Sequence, residues 1–562
     1  MRYLQLYTTK QVIGEENARI FLWRLLTGLI VLFLAIPVVS AQDFAKYRFD
    51  LADKNNNPYS IEKPEEFLSQ RAIQRRIRQN IAVIESDLPV NPHYIDSLRS
   101  LGLRIINRSK WFNSVIIETG DSILLDSICK ITFIDSVTLV KPSAQKKSLR
   151  NKFIPESCAD LVMQTTQNDQ LTMLNGHILH EYGFRGEGMQ IAVIDAGFTG
   201  ADILPAFDSM WINGQILGQR DFVDGDNRVL DAHSHGMTIL SILGGNLPGE
   251  LTGSAPKAGY WLLRSEDTGS EYRIEEENWI SAAEFADSAG VDVINTSLGY
   301  STFDDTLQNY TYKDMDGRTT RISKGVVMAA SKGILVVVSA GNEGNKLWKY
   351  ITAPADADSI LAIGAVDSMG QHAPFSSVGP SYDRRVKPDI AALGVGTVAQ
   401  GLGTGLIGCN GTSCSAPVIS GLAACLWQAN RQLTNLEIIE MIKQSGSQYQ
   451  TPDTLTGYGL PNFANALSQI GANLPYSSIL IKGIYPNPFI NKITLLFVQL
   501  ATDDIIIELY NIQGKMIIQK RYSDLPGGEF ELTVENLNNL SQGIYIIKIL
   551  SGEFCFVKKL VK

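Results

Sequence analysis

An aspartate, a histidine and a serine stand far apart in this 562-residue chain, each in a setting that gives it a chemical task. Asp195 ends the apolar run Ile191-Ala192-Val193-Ile194 and precedes Ala196-Gly197. Catalytic groups in open α/β sheets gather at the carboxyl ends of strands, although Asp before a small residue and Gly is also an ordinary turn. His235 heads the apolar, small-residue stretch Gly236-Met237-Thr238-Ile239-Leu240. An imidazole can take and return a proton near neutral pH; a purely structural histidine is the plain alternative. His233 is its rival, and Gly236, which permits close approach, favours His235. Ser413 lies in Asn410-Gly411-Thr412-Ser413-Cys414-Ser415-Ala416-Pro417, ahead of a helix expected from Cys414 to about Ala429. Free amide hydrogens at a helix start favour developing negative charge, and a capping serine fits the same place. Asn342, in Ser339-Ala340-Gly341-Asn342-Glu343-Gly344, follows the apolar run Ile334–Val338 and can aim its amide at one point, as an oxyanion requires.

Such groups need a rigid frame. From about residue 160 to 470, apolar strand-like runs recur at Ile191–Ile194, Trp261–Leu263, Val291–Ile294, Ile334–Val338 and Ile360–Val366. Helical patterns lie between several of them, at Ile274–Ala289 and Lys324–Lys332. Alternation of this kind predicts a parallel sheet with helices on both faces. Residues 42 to about 150 mix two helical stretches, near Ser69–Arg78 and Asn91–Leu101, with strands at Arg104–Ile106 and Ser114–Glu118, a small α+β module. Lys141–Lys152 reads as an exposed linker. Beyond Leu474, seven short strands in about 85 residues, among turn pairs such as Gln513-Gly514, predict a β-sandwich.

With 49 basic and 58 acidic residues the net charge is −9, against a nucleic-acid binder, and 19% charged residues beside 44% hydrophobic ones exclude a largely disordered chain. Leu25–Val39, with Arg19 and Arg24 before it and Ser40-Ala41 after it, reads as a secretory signal cut after Ala41. Cys414 and Cys425 lie among small residues, where buried packing is the expectation. Asp221, Asp224, Asp226 and Asp231, and the turn Asp314-Met315-Asp316-Gly317, are acidic enough for calcium; solvated turns are the commoner meaning, and Asp224 and Asp226 are the weak candidates kept.

The stretches IAVIDAG, HSHGMTILSILGG, VINTSLGY, VVVSAGNEG, FSSVGP and NGTSCSAPVISG, in the order Asp, His, Ser, resemble the subtilisin family of serine endopeptidases. The resemblance implies a subtilisin-like parallel sheet, catalytic residues Asp195, His235 and Ser413, an oxyanion donor at Asn342, and a substrate-pairing edge at Ser297, Leu298 and Gly299. No cofactor is required by it, and calcium enters only as a structural ion. Three positions depart from the family pattern. Ala196 stands where Ser or Thr is usual, Met237-Thr238 replaces the commoner Thr then His, and Tyr300 stands where a second Gly is common, which would crowd or redirect the cleft.

The first module resembles a subtilase propeptide. The last resembles the sorting domain of type IX secretion cargo, on Tyr485-Pro486-Asn487-Pro488-Phe489, Leu509–Lys515, Gly543–Ile546 and the basic end Lys558–Lys562. The expected layout is a signal peptide at 1–41, a propeptide-like module at 42–155, a peptidase domain at 156–472 and a sorting sandwich at 473–562. The expected protein is a self-processing zymogen at the cell surface or beyond it. Its expected partners are polypeptide substrates, its own propeptide and the type IX machinery, with no nucleic acid. A catalytically silent surface adhesin on the same fold is the rival reading.

Overall fold

The computed structural model describes residues 44–562 except 122–124, 126–127, 144–168, 404, 471–478, 500–503, 524, 526–527 and 552–553. The apolar run Leu25–Val39 and most of the expected linker lie outside the described residues. Among those described, no helix is long and apolar enough to cross a membrane.

The N-terminal unit contains β1 (Ala45–Leu51), α1 (Gln70–Arg78), α2 (Pro92–Ser100), β2 (Arg104–Ser109), β3 (Ser114–Thr119) and β4 (Ile134–Lys141). The helices start where capping side chains stand: Ser69 Oγ accepts the Ala72 N–H and Asn91 Oδ1 accepts the His93 N–H. The strands form an antiparallel sheet, ordered β2-β3-β1-β4. Its core gathers Phe49, Leu98, Val115 and Ile117.

The middle unit is built on seven parallel strands: β5 (Gln190–Asp195), β6 (Ile216–Asp221), β7 (Gly259–Arg264), β8 (Val293–Thr296), β9 (Leu335–Ser339), β10 (Leu361–Val366) and β11 (Ile390–Leu393). Their order in space is β11-β10-β9-β8-β5-β7-β6. Strand order reverses at β5, so its carboxyl end marks the crevice where ligands bind in such sheets. Both faces are covered, which explains the continuous apolar runs. Ile191, Val193, Val293, Leu335 and Val337 share one core with α3 (His235–Gly244) and α6 (Thr412–Ala429). Ala192, Ile194, Ile294, Val336 and Val338 share the other with α4 (Ile274–Ala289) and α5 (Arg321–Ser331). A hairpin of β12 (Thr397–Gln400) and β13 (Leu406–Cys409) leads into α6.

The N-terminal unit docks on α4 through buried charge. Arg75 and Arg76 from α1 and Lys110 after β2 converge on the Asp287 carboxylate, at 2.6, 3.0 and 3.0 Å. Asp87 of the N-terminal unit takes Lys332 of the middle unit at 3.0 Å. Glu284 accepts hydrogen bonds from Ser109 Oγ and from the Lys110 and Trp111 amides. Burial pushes the Glu284 carboxyl up to about 7, against the pull of Lys110 and these donors.

The C-terminal unit packs a three-stranded sheet, β14 (Ile479–Tyr485), β15 (Ile493–Gln499) and β18 (Gly528–Val534), against four strands, β16 (Ile505–Asn511), β17 (Met516–Tyr522), β19 (Ile544–Ser551) and β20 (Phe554–Val561). All seven expected strands form. The Tyr485–Phe489 motif is a clasp for the last strand: Asn487 Oδ1 accepts the Val561 N–H, and the Phe489 N–H donates to Val561 O.

Candidate active site

Asp195 is the last residue of β5 and is fully buried. Its Oδ1 accepts the Ala196 N–H at 2.7 Å and lies 2.7 Å from His235 Nδ1. A carboxylate accepts, so Nδ1 carries the proton and Nε2 is the basic nitrogen. Asp195 Oδ2 is buried and takes no hydrogen bond from any described residue. Ala196 has no hydroxyl to offer it.

His235 opens α3 beside that carboxylate because Gly236 lets the helix approach the strand end. A Cβ on Gly236 would lie 2.6 Å from Gly197 O and 2.9 Å from Asp195 Cβ. The rival, His233, serves the turn instead. Its Nδ1 accepts the His235 N–H at 3.1 Å, and its backbone carbonyl accepts the Thr199 N–H. Burial, with the neighbouring His235, lowers the His233 pKa, which keeps that acceptor nitrogen unprotonated.

Ser413 is the second residue of α6. Gly411 before it has φ +145°, and a Cβ there would sit 2.9 Å from Ser413 Oγ and 3.5 Å from Asn342 Nδ2. Hydroxyl and amide therefore line one small space that only glycine leaves open. Asn342 Oδ1 accepts from both the amide and the hydroxyl of Thr412, at 2.9 and 3.0 Å. That pair of bonds turns Nδ2, the donor, toward Ser413. Thr412 was not singled out in the sequence; its adjacency to Ser413 was the available signal.

Four residues thus meet at one edge. Asp195 ends β5, Ser297 follows β8, and Asn342 stands three residues beyond β9, all on adjacent parallel strands. Neighbouring strands lie about 4.8 Å apart, so these groups share a short stretch of sheet edge. Ser413 is tied to it, since Ser297 Oγ donates to Ser413 O at 3.0 Å. Asn295 extends the tie, donating to Ser297 Oγ and accepting from Ser420 Oγ.

Ser297-Leu298-Gly299 continues this edge. Gly299 has no room for a side chain, because a Cβ would lie 2.2 Å from Thr352 Oγ1. Tyr300 does not crowd the cleft, contrary to the sequence expectation. Its ring is buried, stacks on Phe303, and its hydroxyl donates to Glu266. A large side chain is accommodated there because it points into the core.

The weak calcium candidates are engaged elsewhere. Asp224 pairs with Arg264 Nη1 at 2.7 Å, which also holds Asp221, and Asp226 takes Arg228 through backbone and side chain. Asp314 and Asp316 accept hydrogen bonds within their own turns. Glu266, Glu271 and Glu275, not noted in the sequence, bring carboxylate oxygens within 4.8 Å of one another. Cys425 is buried as expected, whereas Cys414 is bridged to Cys409 rather than merely packed. Two cysteines five apart face each other because a strand ends and a helix begins between them.

Comparison with known proteins adds three family matches. Residues 186–459 match the subtilase family, 46–153 a Bacteroidota peptidase S8 propeptide domain, and 483–562 a secretion system C-terminal sorting domain. The chain is 30% identical over 285 residues to a thermophilic serine proteinase of Bacillus sp. (strain AK1), covering 50% of this chain and 62% of that one. It is 31% identical to subtilisin NAT of Bacillus subtilis subsp. natto, covering 52% of this chain and 69% of that one. It is 30% identical to a subtilisin of Bacillus pumilus, covering 52% of this chain and 95% of that one. Among solved structures, MycP1 from Mycobacterium smegmatis aligns with a TM-score of 0.43 at 22% identity, over 57% of this chain and 89% of that one.

Proposed function

Since the chain belongs to the subtilase family of serine endopeptidases, we propose that it is a secreted, self-processing member that hydrolyses peptide bonds through Asp195, His235 and Ser413. In this reading His235 Nε2 takes the proton of Ser413 Oγ as that oxygen attacks the substrate carbonyl. The same nitrogen then returns the proton to the leaving amine. Asp195 holds the Nδ1–H and stabilises the imidazolium. The Asn342 Nδ2 and the Ser413 amide receive the tetrahedral oxyanion, and water then releases the acyl group by the same route. An extended substrate pairs with Ser297-Leu298-Gly299, the backbone supplying affinity. The observation that carries the reading is the 2.7 Å Asp195–His235 bond at the strand edge where Asn342 and Ser413 also meet.

Treatment of the mature protein with a fluorescent fluorophosphonate tests it directly. Labelling at Ser413 supports an enzyme; an unlabelled, correctly folded protein is the silent surface protein instead. Asn342→Ala is expected to lower kcat about 10²–10³-fold with KM little changed, a magnitude established on subtilisin itself. Unchanged turnover would remove Asn342 from the oxyanion site.

We assign residues 1–41 to the signal peptide, 42–155 to the propeptide, 156–472 to the peptidase and 473–562 to the sorting sandwich. The propeptide is the enzyme's own inhibitor until it is cut away, and the sandwich addresses the protein to type IX export. A chain ending near Leu474 is expected to keep hydrolysis and lose surface delivery. Normal delivery of that shortened chain, read by surface immunoblotting, would refute the assignment.

A further inference from the structure

The Cys409–Cys414 bridge spans the segment that carries Ser413. Cys409 ends β13, and Cys414 follows Ser413 in the first turn of α6, with Cα atoms 6.2 Å apart. Both cysteines are buried. The residues inside the loop are Asn410, Gly411, Thr412 and Ser413. Disulfides stabilise a fold mainly by restricting the unfolded chain, and more so for longer loops. A bridge closing so few residues is a poor global staple, and what it restricts is the loop itself.

Other bonds hold the front of that loop. Asn410 Oδ1 accepts the Gly396 N–H, the Gly411 N–H donates to Gly394 O, and Thr412 is held by Asn342. Gly411, at φ +145°, is the residue among them whose backbone a side chain would strain. Ser413 comes last, with its Oγ 3.9 Å from Cys414 Sγ. Ser297 Oγ holds the Ser413 carbonyl, and the bridge fixes the next residue, so that the Ser413 amide and hydroxyl keep their orientation toward Asn342.

We propose that the Cys409–Cys414 disulfide is a positioning clamp for the nucleophile, so that turnover requires the oxidised form. The inference rests on Ser413 being the nucleophile. The bridge forms when two thiols give two electrons and two protons to a disulfide oxidant, as exported chains meet outside the cytoplasm. Reduction by a dithiol returns both electrons and both protons and leaves two cysteine thiols, one of them beside Ser413 Oγ. Misplacement by about 1 Å at a reacting group can cost on the order of 10²-fold.

The test compares the mature wild type with C409A/C414A. The wild type is first labelled with fluorophosphonate and digested for mass spectrometry; failure of that labelling at Ser413 sinks the functional reading, independently of the bridge. Absence of the Cys409–Cys414-linked peptide overturns the clamp. With the bridge present, the double variant is expected to mature, unfold thermally near the wild type, and show at least a tenfold lower maximal rate of fluorophosphonate inactivation. The concentration giving half that rate should move less than twofold, and casein hydrolysis should fall in kcat with KM nearly constant. Wild-type rates in the double variant overturn the proposal. So does a double variant that unfolds thermally well below the wild type, since the bridge would then serve the whole fold rather than Ser413.

Discussion

Ser413→Ala is expected to yield a full-length chain that keeps its propeptide and takes no fluorophosphonate label. The side chain lost is the only atom set in the scheme able to attack, and the Asp195–His235 pair is left with no proton to receive. In subtilisin the corresponding loss costs about 10⁶-fold in turnover, leaving only what the oxyanion donors and binding supply. The fold should survive, because a hydroxyl is removed from the start of α6 while Ser297 still bonds to the backbone carbonyl of residue 413. Anti-propeptide immunoblotting and in-gel labelling read the result. A processed, active alanine variant would move the nucleophile elsewhere.

Asp287→Ala is expected to loosen the propeptide without slowing the mature enzyme. Burial alone would raise the Asp287 pKa, but Lys110, Arg76 and Arg75 hold the carboxylate well below its usual range. Removing it leaves three buried cations facing one another without their common counterion. Breaking a buried pair from one side costs about 3–5 kcal/mol. That corresponds to a propeptide inhibition constant weaker by roughly 10²- to 4 × 10³-fold. The measurement is inhibition of mature wild type and variant by residues 42–155 added separately, with casein hydrolysis as the readout. Equal inhibition constants would show that the charge cluster is incidental to docking.

Much of this architecture was legible because parallel strands buried on both faces read as unbroken apolar runs. Ile191–Ile194 and Ile334–Val338 are of that kind; the first ends beside Asp195 and the second four residues before Asn342. Two strands escaped notice, both at the sheet's edges. Ile216–Asp221 reads Ile-Leu-Gly-Gln-Arg-Asp, too polar to stand out, and Ile390–Leu393 is only four residues long. Helix α5 starts three residues ahead of the expected Lys324, because Thr320 caps it by accepting the Ser323 N–H. Side-chain chemistry was read less completely than segment type. His235 and Asp195 could be paired from motif context, but no spacing announces that Ser297 Oγ holds Ser413 O. Nor does it announce that a cysteine five residues upstream bridges to Cys414. Those contacts depend on loops converging from different strands, which a local pattern does not encode. Tyr300 shows the converse error, since residue size was read without knowing which way the ring points.

Strand β5 is central in its sheet yet is synthesised before its neighbours β7 and β8. Asp195 leaves the ribosome 218 residues (413 − 195) ahead of Ser413. Parallel pairing over such separations pays its loop entropy before any reward arrives, and it is slow. The four strands of the N-terminal unit all fall within residues 45–141, so that unit can be complete while half of the large sheet is still untranslated. Its Arg75 and Arg76, the partners that Asp287 of α4 meets in the folded protein, therefore precede that helix along the chain by about 200 residues.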